Sequence, residues 1–259
     1  MDTKRPLAKA ALAGFGLAAL SALTAAVAGF GHRFGLWHFS TGFVILRWAA
    51  YGALASLAIS LAGLYIARMH KQFRGAVWAL IGIAIALAAV TPPLMWLKTA
   101  RTVPRIHDIT TDTEHPPVFI AILPLRREAP NPAEYGGPEI AALQHAGYPE
   151  LKPALLAVSP AQAFENSLAV ARRMGWEVVG TEPQEGRIEA TATTFWFGFK
   201  DDVVIRIAPY DHGSRVDARS VSRVGLSDVG TNAKRIAEFM AALQKRVGAP
   251  LLPGGTGPS

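Results

Sequence analysis

The chain has no cysteine among its 259 residues, which excludes disulfides and thiolate metal sites. An oxidising compartment is compatible with that composition. Acidic residues are nearly missing from the first hundred positions: Asp2 stands against ten Lys and Arg in residues 1–101. Residues 102–259 reverse this, with 16 basic and 18 acidic residues. The net charge of +7 therefore belongs to the first third alone, and no basic domain is left to bind nucleic acid.

Long apolar runs fill that first third, at about 7–31, 43–67 and 75–96. Each exceeds the roughly 20 residues that cross a hydrocarbon core at about 1.5 Å per residue. None carries the polar stripe of a soluble helix, so three transmembrane helices are predicted. Trp37, Trp48, Trp78 and Trp96 fall at or near the ends, as in an aromatic belt. Arg47, a turn inside the second run, reads as an anchor that snorkels to the interface. Lys4, Arg5 and Lys9 precede the first run, and Arg68, Lys71 and Arg74 fill the second loop. The first loop holds Arg33. The positive-inside rule then puts the N-terminus in the cytoplasm and the residues after the third span on the other side. Ala26-Val27-Ala28 resembles a signal-peptidase site, but the run is longer than a typical signal core, so a retained span is preferred. Gly52, Ser56 and Ser60, and Gly82 with Ala86, recur every four residues. Packing within the chain's own bundle is expected there, with a dimer interface as the alternative. Pro92 and Pro93 are expected to end or kink the third helix, leaving Leu94–Leu97 in the interface.

Residues 98–138 are rich in proline and read as an extended junction that partly packs on the following domain. His107, Asp108, Asp112, Glu114 and His115 are metal-ligand types, but their spacing fits no metal motif. They read as a polar linker, and no metal or other cofactor is expected.

An α+β domain is predicted over 139–248, followed by a Pro/Gly tail over 249–259. A helix over 159–174 has Ser159 as its cap and buries Phe164, Leu168 and Ala171. Strands over 176–181, 187–197, 202–208 and 215–223 are separated by short turns, which implies an antiparallel meander. A last helix over 231–247 buries Ile236, Phe239, Met240 and Leu243. The expected architecture is a four-stranded antiparallel sheet with two helices on one face. Along the last strand Val216, Ala218, Ser220 and Ser222 alternate with Arg215, Asp217, Arg219, Val221 and Arg223. The arginine face reads in two ways. Arg219 and Arg223 can present donor forks to an anion beside a helix N-terminus. Alternatively, Arg206, Arg215 and Arg219 pair with Asp217, Glu189 or Asp202 across a solvated sheet face, and Asp228 or Thr231 caps the last helix.

The run from Arg219 to Arg235 (Arg-Ser-Val-Ser-Arg-Val-Gly-Leu-Ser-Asp-Val-Gly-Thr-Asn-Ala-Lys-Arg) and the upstream Phe197-Gly-Phe-Lys-Asp-Asp-Val203 resemble domain-of-unknown-function family 1499. His107-Asp108-Ile109-Thr110-Thr111-Asp112 is similar to the opening of its bacterial members. The resemblance covers about 104–247. It implies a bacterial membrane-associated protein and no particular activity. Carried over residue by residue, the candidate ligand-binding positions are Asp201, Asp202, Arg219, Ser220, Ser222, Arg223, Ser227, Asp228, Asn232 and Arg235. No catalytic residue is assigned. The reading that follows is an inner-membrane protein whose periplasmic domain binds an anionic envelope component or a partner protein. The alternatives are a membrane-anchored hydrolase, for which Ser227 and Asp201–Asp202 are thin support, and an accessory subunit of a membrane complex.

Overall fold

The computed structural model describes residues 9–248. Lys4, Arg5 and the tail expected over 249–259 lie outside the described residues. The chain divides into two compact units: one holds the chain up to Lys98 together with Phe195–Gly198, the other holds the rest.

The first unit is built on three helices, α1 (Lys9–Arg33), α2 (Phe39–Met69) and α3 (Phe73–Thr102). All three are long and apolar enough to cross a membrane, with mean hydropathies of 1.9, 1.7 and 2.1. The buried residues of α2 are Gly42, Leu46, Ala49, Ala53, Ser56, Ser60, Gly63 and Ala67. They step alternately by four and three residues, the 3.5-residue period of a seam between helices that cross at a shallow angle. Almost all are small, because the helix backbones approach closely. A Cβ on Gly63 would lie 2.5 Å from the Ala11 nitrogen of α1, and one on Gly82 of α3 would lie 2.6 Å from Ser60 Oγ of α2. The small residues therefore face the chain's own bundle. Of the end or kink expected at Pro92-Pro93, the end does not occur: α3 runs through both to Thr102. Each proline forgoes one backbone hydrogen bond, yet in apolar surroundings the unwound backbone has no better partner than the remaining helical bonds.

The second unit is an α+β domain. Four long strands, β3 (Glu177–Glu182), β4 (Arg187–Thr193), β5 (Lys200–Tyr210) and β6 (Gly213–Ser222), form the expected antiparallel meander. The sheet has six strands rather than four. The short β1 (Asp108–Thr110) and β2 (Ala154–Leu156) both pair antiparallel with β6, β1 opposite Arg219–Val221 and β2 opposite Ser214–Val216. Three helices accompany it where two were expected: α4 (Gly137–Gly147), α5 (Pro160–Arg173) and α6 (Thr231–Val247). Ser159 and Gln162 form a capping box at the start of α5. The core lies between the sheet and the helices. Ile188, Ala190, Val203, Ile205, Val216 and Ala218 meet Phe164, Leu168, Ile236, Phe239 and Leu243 there. The other sheet face is covered too, by residues 112–136, here called the strap. Phe119 and Ile122 of the strap pack on Val204 and Val221.

The β4–β5 hairpin closes at Thr194 and Phe199, which exchange backbone N–H to carbonyl and to side-chain hydroxyl bonds. β4 thus stops at Thr193, four residues before the predicted end. The intervening Phe195–Gly198 belongs to the helical unit.

Candidate functional site

The candidate residues fall on opposite sides of the sheet, because alternation along β5 and β6 sends neighbours to opposite faces. On the helix side are Asp201, Ser220, Ser222, Asn232 and Arg235. Arg235 Nη2 donates to Asp201 Oδ2 at 2.6 Å and Nη1 to Ser220 Oγ at 3.0 Å, with a further short bond from Nη1 to Asn232 Oδ1. Ser220 donates to Asn232 Oδ1 at 2.7 Å, and the Asn232 amide donates to Ser222 Oγ and to the His107 carbonyl, both at 3.0 Å. All five are buried.

The loop between β6 and α6 supplies Ser227 and Asp228. Gly225 and Gly230 take left-handed backbone with φ of 94° and 79°, which explains two glycines of the motif. Asp228 Oδ1 accepts from the Gly230 N–H at 3.0 Å and Oδ2 from the Asn232 N–H at 2.6 Å, so Asp228 does cap α6. Ser227 Oγ accepts from the Val229 N–H at 3.2 Å. Burial pushes the Asp228 carboxyl up to about 6. The two amide donors oppose that rise, and the Asp201 charge adds to it. Nearby, burial pushes the Tyr148 hydroxyl up to about 12, with Asp228 contributing. Burial also lowers the His107 imidazole below its usual value, while a hydrogen bond to the Leu226 backbone opposes that shift.

On the strap side stand Asp202, Arg219 and Arg223. Asp202 is fully buried and receives three partners. Arg223 donates to both of its oxygens at 2.9 and 2.8 Å, Arg126 of the strap donates at 2.6 Å, and Thr191 Oγ1 at 2.8 Å. Burial alone would raise this carboxyl; the hydrogen bonds from Arg223, Thr191 and Arg126 prevail and hold it below the ordinary range. Two guanidiniums against one carboxylate leave the cluster positive. Arg219, 2 % exposed, grips Asp108 with a two-pronged bond of 2.9 and 2.7 Å. It also donates to the Pro117 and Ala133 carbonyls and lies against the rings of Phe119 and Tyr135.

One of the two sequence readings made this a solvated charged face. The face is buried, because the strap lies over it. Of the pairings expected there, Arg206 and Arg215 do share Asp217, at 2.9 and 3.0 Å, and both also reach Asp112 of the strap. Arg219 instead pairs with Asp108. Glu189 is fully buried beside Arg187 and accepts the N–H groups of Ile120, Ala121 and Ile122, fixing the strap just before the 3₁₀ turn Leu123–Arg126. Arg126, Gln144 and Asn131, whose amide donates to the Ser222 and Gly225 carbonyls at 3.0 and 2.9 Å, were missed as site residues, and Glu189 was expected only as a pairing partner. Gln144 of α4 exchanges bonds with the Thr110 N–H and carbonyl at 3.0 and 2.6 Å, substituting for a strand neighbour at the edge of β1. Among the described residues no three His, Asp or Glu side chains converge as metal ligands.

Residues 108–243, more than half of the chain, match the family described as protein of unknown function DUF1499. The chain belongs to this family. No curated protein matches it. The DUF1499 region begins at Asp108, the partner of Arg219, and ends at Leu243, a buried core residue of α6. Its limits thus enclose both polar networks and the strap.

Bordering the strap-side network, a groove of about 290 Å³ opens where the strap crosses the sheet. Pro116, Pro117, Val118, Ile120 and Val204 supply its apolar lining, and Glu185, Arg187 and Arg206 its charge.

Two predictions follow from these networks. Replacing Asp202 by Ala in the full chain leaves Arg126 and Arg223 without their carboxylate. Equilibrium urea unfolding in detergent is expected to show a loss of about 3–5 kcal/mol, the cost of breaking a buried pair. A loss below about 1 kcal/mol, the scale of a surface pair, would contradict the burial described. Asp228 holds its proton more tightly folded than unfolded. Its contribution to stability is therefore full below 3.8 and lost as pH rises through about 6. Asp202 and Asp112, both lowered, act oppositely, losing their contribution as pH falls. Against Asp228→Asn, wild type is expected to lose thermal stability across the 3.8-to-6 interval; a constant difference between the two melts would refute the shift.

Proposed function

We propose that this DUF1499 protein is a non-catalytic, membrane-anchored interaction module, with its α+β domain on the outer face of a bacterial cytoplasmic membrane and a partner protein as its ligand. The observation that carries the reading is an apolar strip on the outside of the strap. Val118, Ile120, Leu123 and Leu125 are 63, 52, 43 and 54 % exposed. They occupy a segment whose backbone and neighbouring residues are otherwise tied to the sheet by ion pairs and caps. A rigid apolar strip beside a groove edged by charge is the usual form of a protein-binding surface.

The polar motif supports a structural rather than a chemical role. An anion at Arg219, Arg223 or Arg235 would have to displace Asp108, Asp202 or Asp201, so the anionic-ligand reading ranks second. A hydrolase is disfavoured by the geometry of its best residues. Asp201 and Asp202 lie on opposite sides of the sheet, and Ser227 and Asp228 serve the local loop and helix cap. An accessory-subunit role is compatible with the same strip. The orientation rests on the basic residues at Lys9 and in the loop containing Arg68, Lys71 and Arg74.

Photo-crosslinking tests the surface. Benzoylphenylalanine in place of Val118 is expected to yield a protein adduct in native membranes, and in place of the exposed Arg172 of α5 to yield none. No adduct at 118, or equal adducts at both positions, would overturn the proposed surface. The absence of cysteine makes the orientation equally testable. His212→Cys should react with a membrane-impermeant maleimide on intact cells, whereas Lys71→Cys should react only after the membrane is opened. The reverse order would place the domain in the cytoplasm.

A further inference from the structure

The helical unit contains four residues from far along the chain, Phe195-Trp196-Phe197-Gly198. Two of their polar groups bond to α1 inside the unit. Trp196 Nε1 donates to the Ala26 carbonyl of α1 at 3.1 Å, and Arg33 Nη1 donates to the Phe195 carbonyl at 2.7 Å. Phe197 is buried against Phe43 of α2, ring centroids 5.1 Å apart. Phe195 meets Phe30 edge-on at 5.7 Å yet leaves 78 % of its surface exposed. Its neighbours on the outer surface of α1 are apolar as well: Val27 is 43 % and Phe34 71 % exposed. An aromatic segment with its indole N–H bonded to α1 and a phenyl ring turned outward suits the boundary between headgroups and acyl chains.

Depth gives the same answer. The apolar stretch of α1 ends at Gly31, and Ala26 lies five residues back along the helix, about 7 Å deeper. That is the depth, about 5–10 Å, at which interfacial segments bury their apolar faces below the headgroups.

We propose that Phe195 and Trp196 form a membrane-interfacial anchor, inserted at the headgroup–acyl boundary of the leaflet reached by the α1–α2 connection. The occupant of the exposed ring surface is lipid. The inference rests on α1 and α2 spanning the bilayer and is independent of the partner proposed for the strap.

The full chain reconstituted in phosphatidylethanolamine–phosphatidylglycerol nanodiscs provides the test. A spin label on Phe195→Cys is expected to collide more with dissolved oxygen than with a water-soluble nickel chelate. The same label on His212→Cys, in the exposed β5–β6 turn, should show the opposite preference. Equal nickel access at 195 and 212 would overturn the proposal. A second measurement does not depend on the introduced cysteine. Acyl-brominated lipids quench tryptophans at the boundary. If Trp196 sits there, Trp196→Phe lowers the quenchable share of emission. If Trp196 is in water, the substitution removes unquenchable emission and the share rises, which sinks the proposal.

Discussion

A guanidinium with 2 % exposure sets the terms for the α+β domain. Burying the Arg219 guanidinium without partners would cost several kcal/mol. Its partners come from separate stretches of chain: the Asp108 carboxylate of β1, the Pro117 carbonyl early in the strap, and the Ala133 carbonyl near its end. Satisfying one side chain therefore constrains where β1 lies and how the strap enters and leaves. Phe119 and Tyr135 close over the planar cation. Detaching the strap would expose this cation's partners and break Asp202 from Arg126 together. The strap is accordingly part of the cooperative domain, although it has only one turn of 3₁₀ helix.

What could be read from sequence follows from where burial imposes a period. The limits of α6 agree with the sequence reading, and α5 differs by a residue at each end, because a buried helix face repeats every 3.6 residues and Ser159 marks a start. β5 and β6 were evident from strict alternation. β1 and β2, at three residues each, are too short to show a period. α4 was hidden by Pro138, which reads as a breaker but stands in the first turn, where a missing N–H costs nothing. The candidate site was legible in residue identity and not in environment. The chemistry of Arg219 and Asp202 was plain; that Asp108 and Arg126 would come to meet them, 111 and 76 positions away, left no local signal.

That gap explains why the DUF1499 motif reads from sequence as a ligand-binding site. Active sites and buried structural networks draw on the same residues, and both perturb titration. Saturation distinguishes them. Asp202 has its negative charge matched by Arg223 and Arg126, and Asp201 by Arg235; their geometry leaves those carboxylates facing partners rather than space. Asp228 is different. Its hydrogen-bond partners are two backbone amides, burial outweighs them, and its carboxyl rises to about 6. It stands at the N-terminus of α6, next to Asn232, which bridges to Ser220, Ser222 and the carbonyl of His107. Protonating Asp228 would remove a charge from the same cap that orients Asn232, so the helix-side network changes charge at a higher pH than the strap-side network, whose Asp202 carboxyl is held below the ordinary range by its arginine and threonine partners. The two sides of this sheet, built from alternate residues of the same strands, thus differ in kind: on one, arginines hold the carboxylate in its charged form; on the other, burial favours the protonated form of the capping carboxyl.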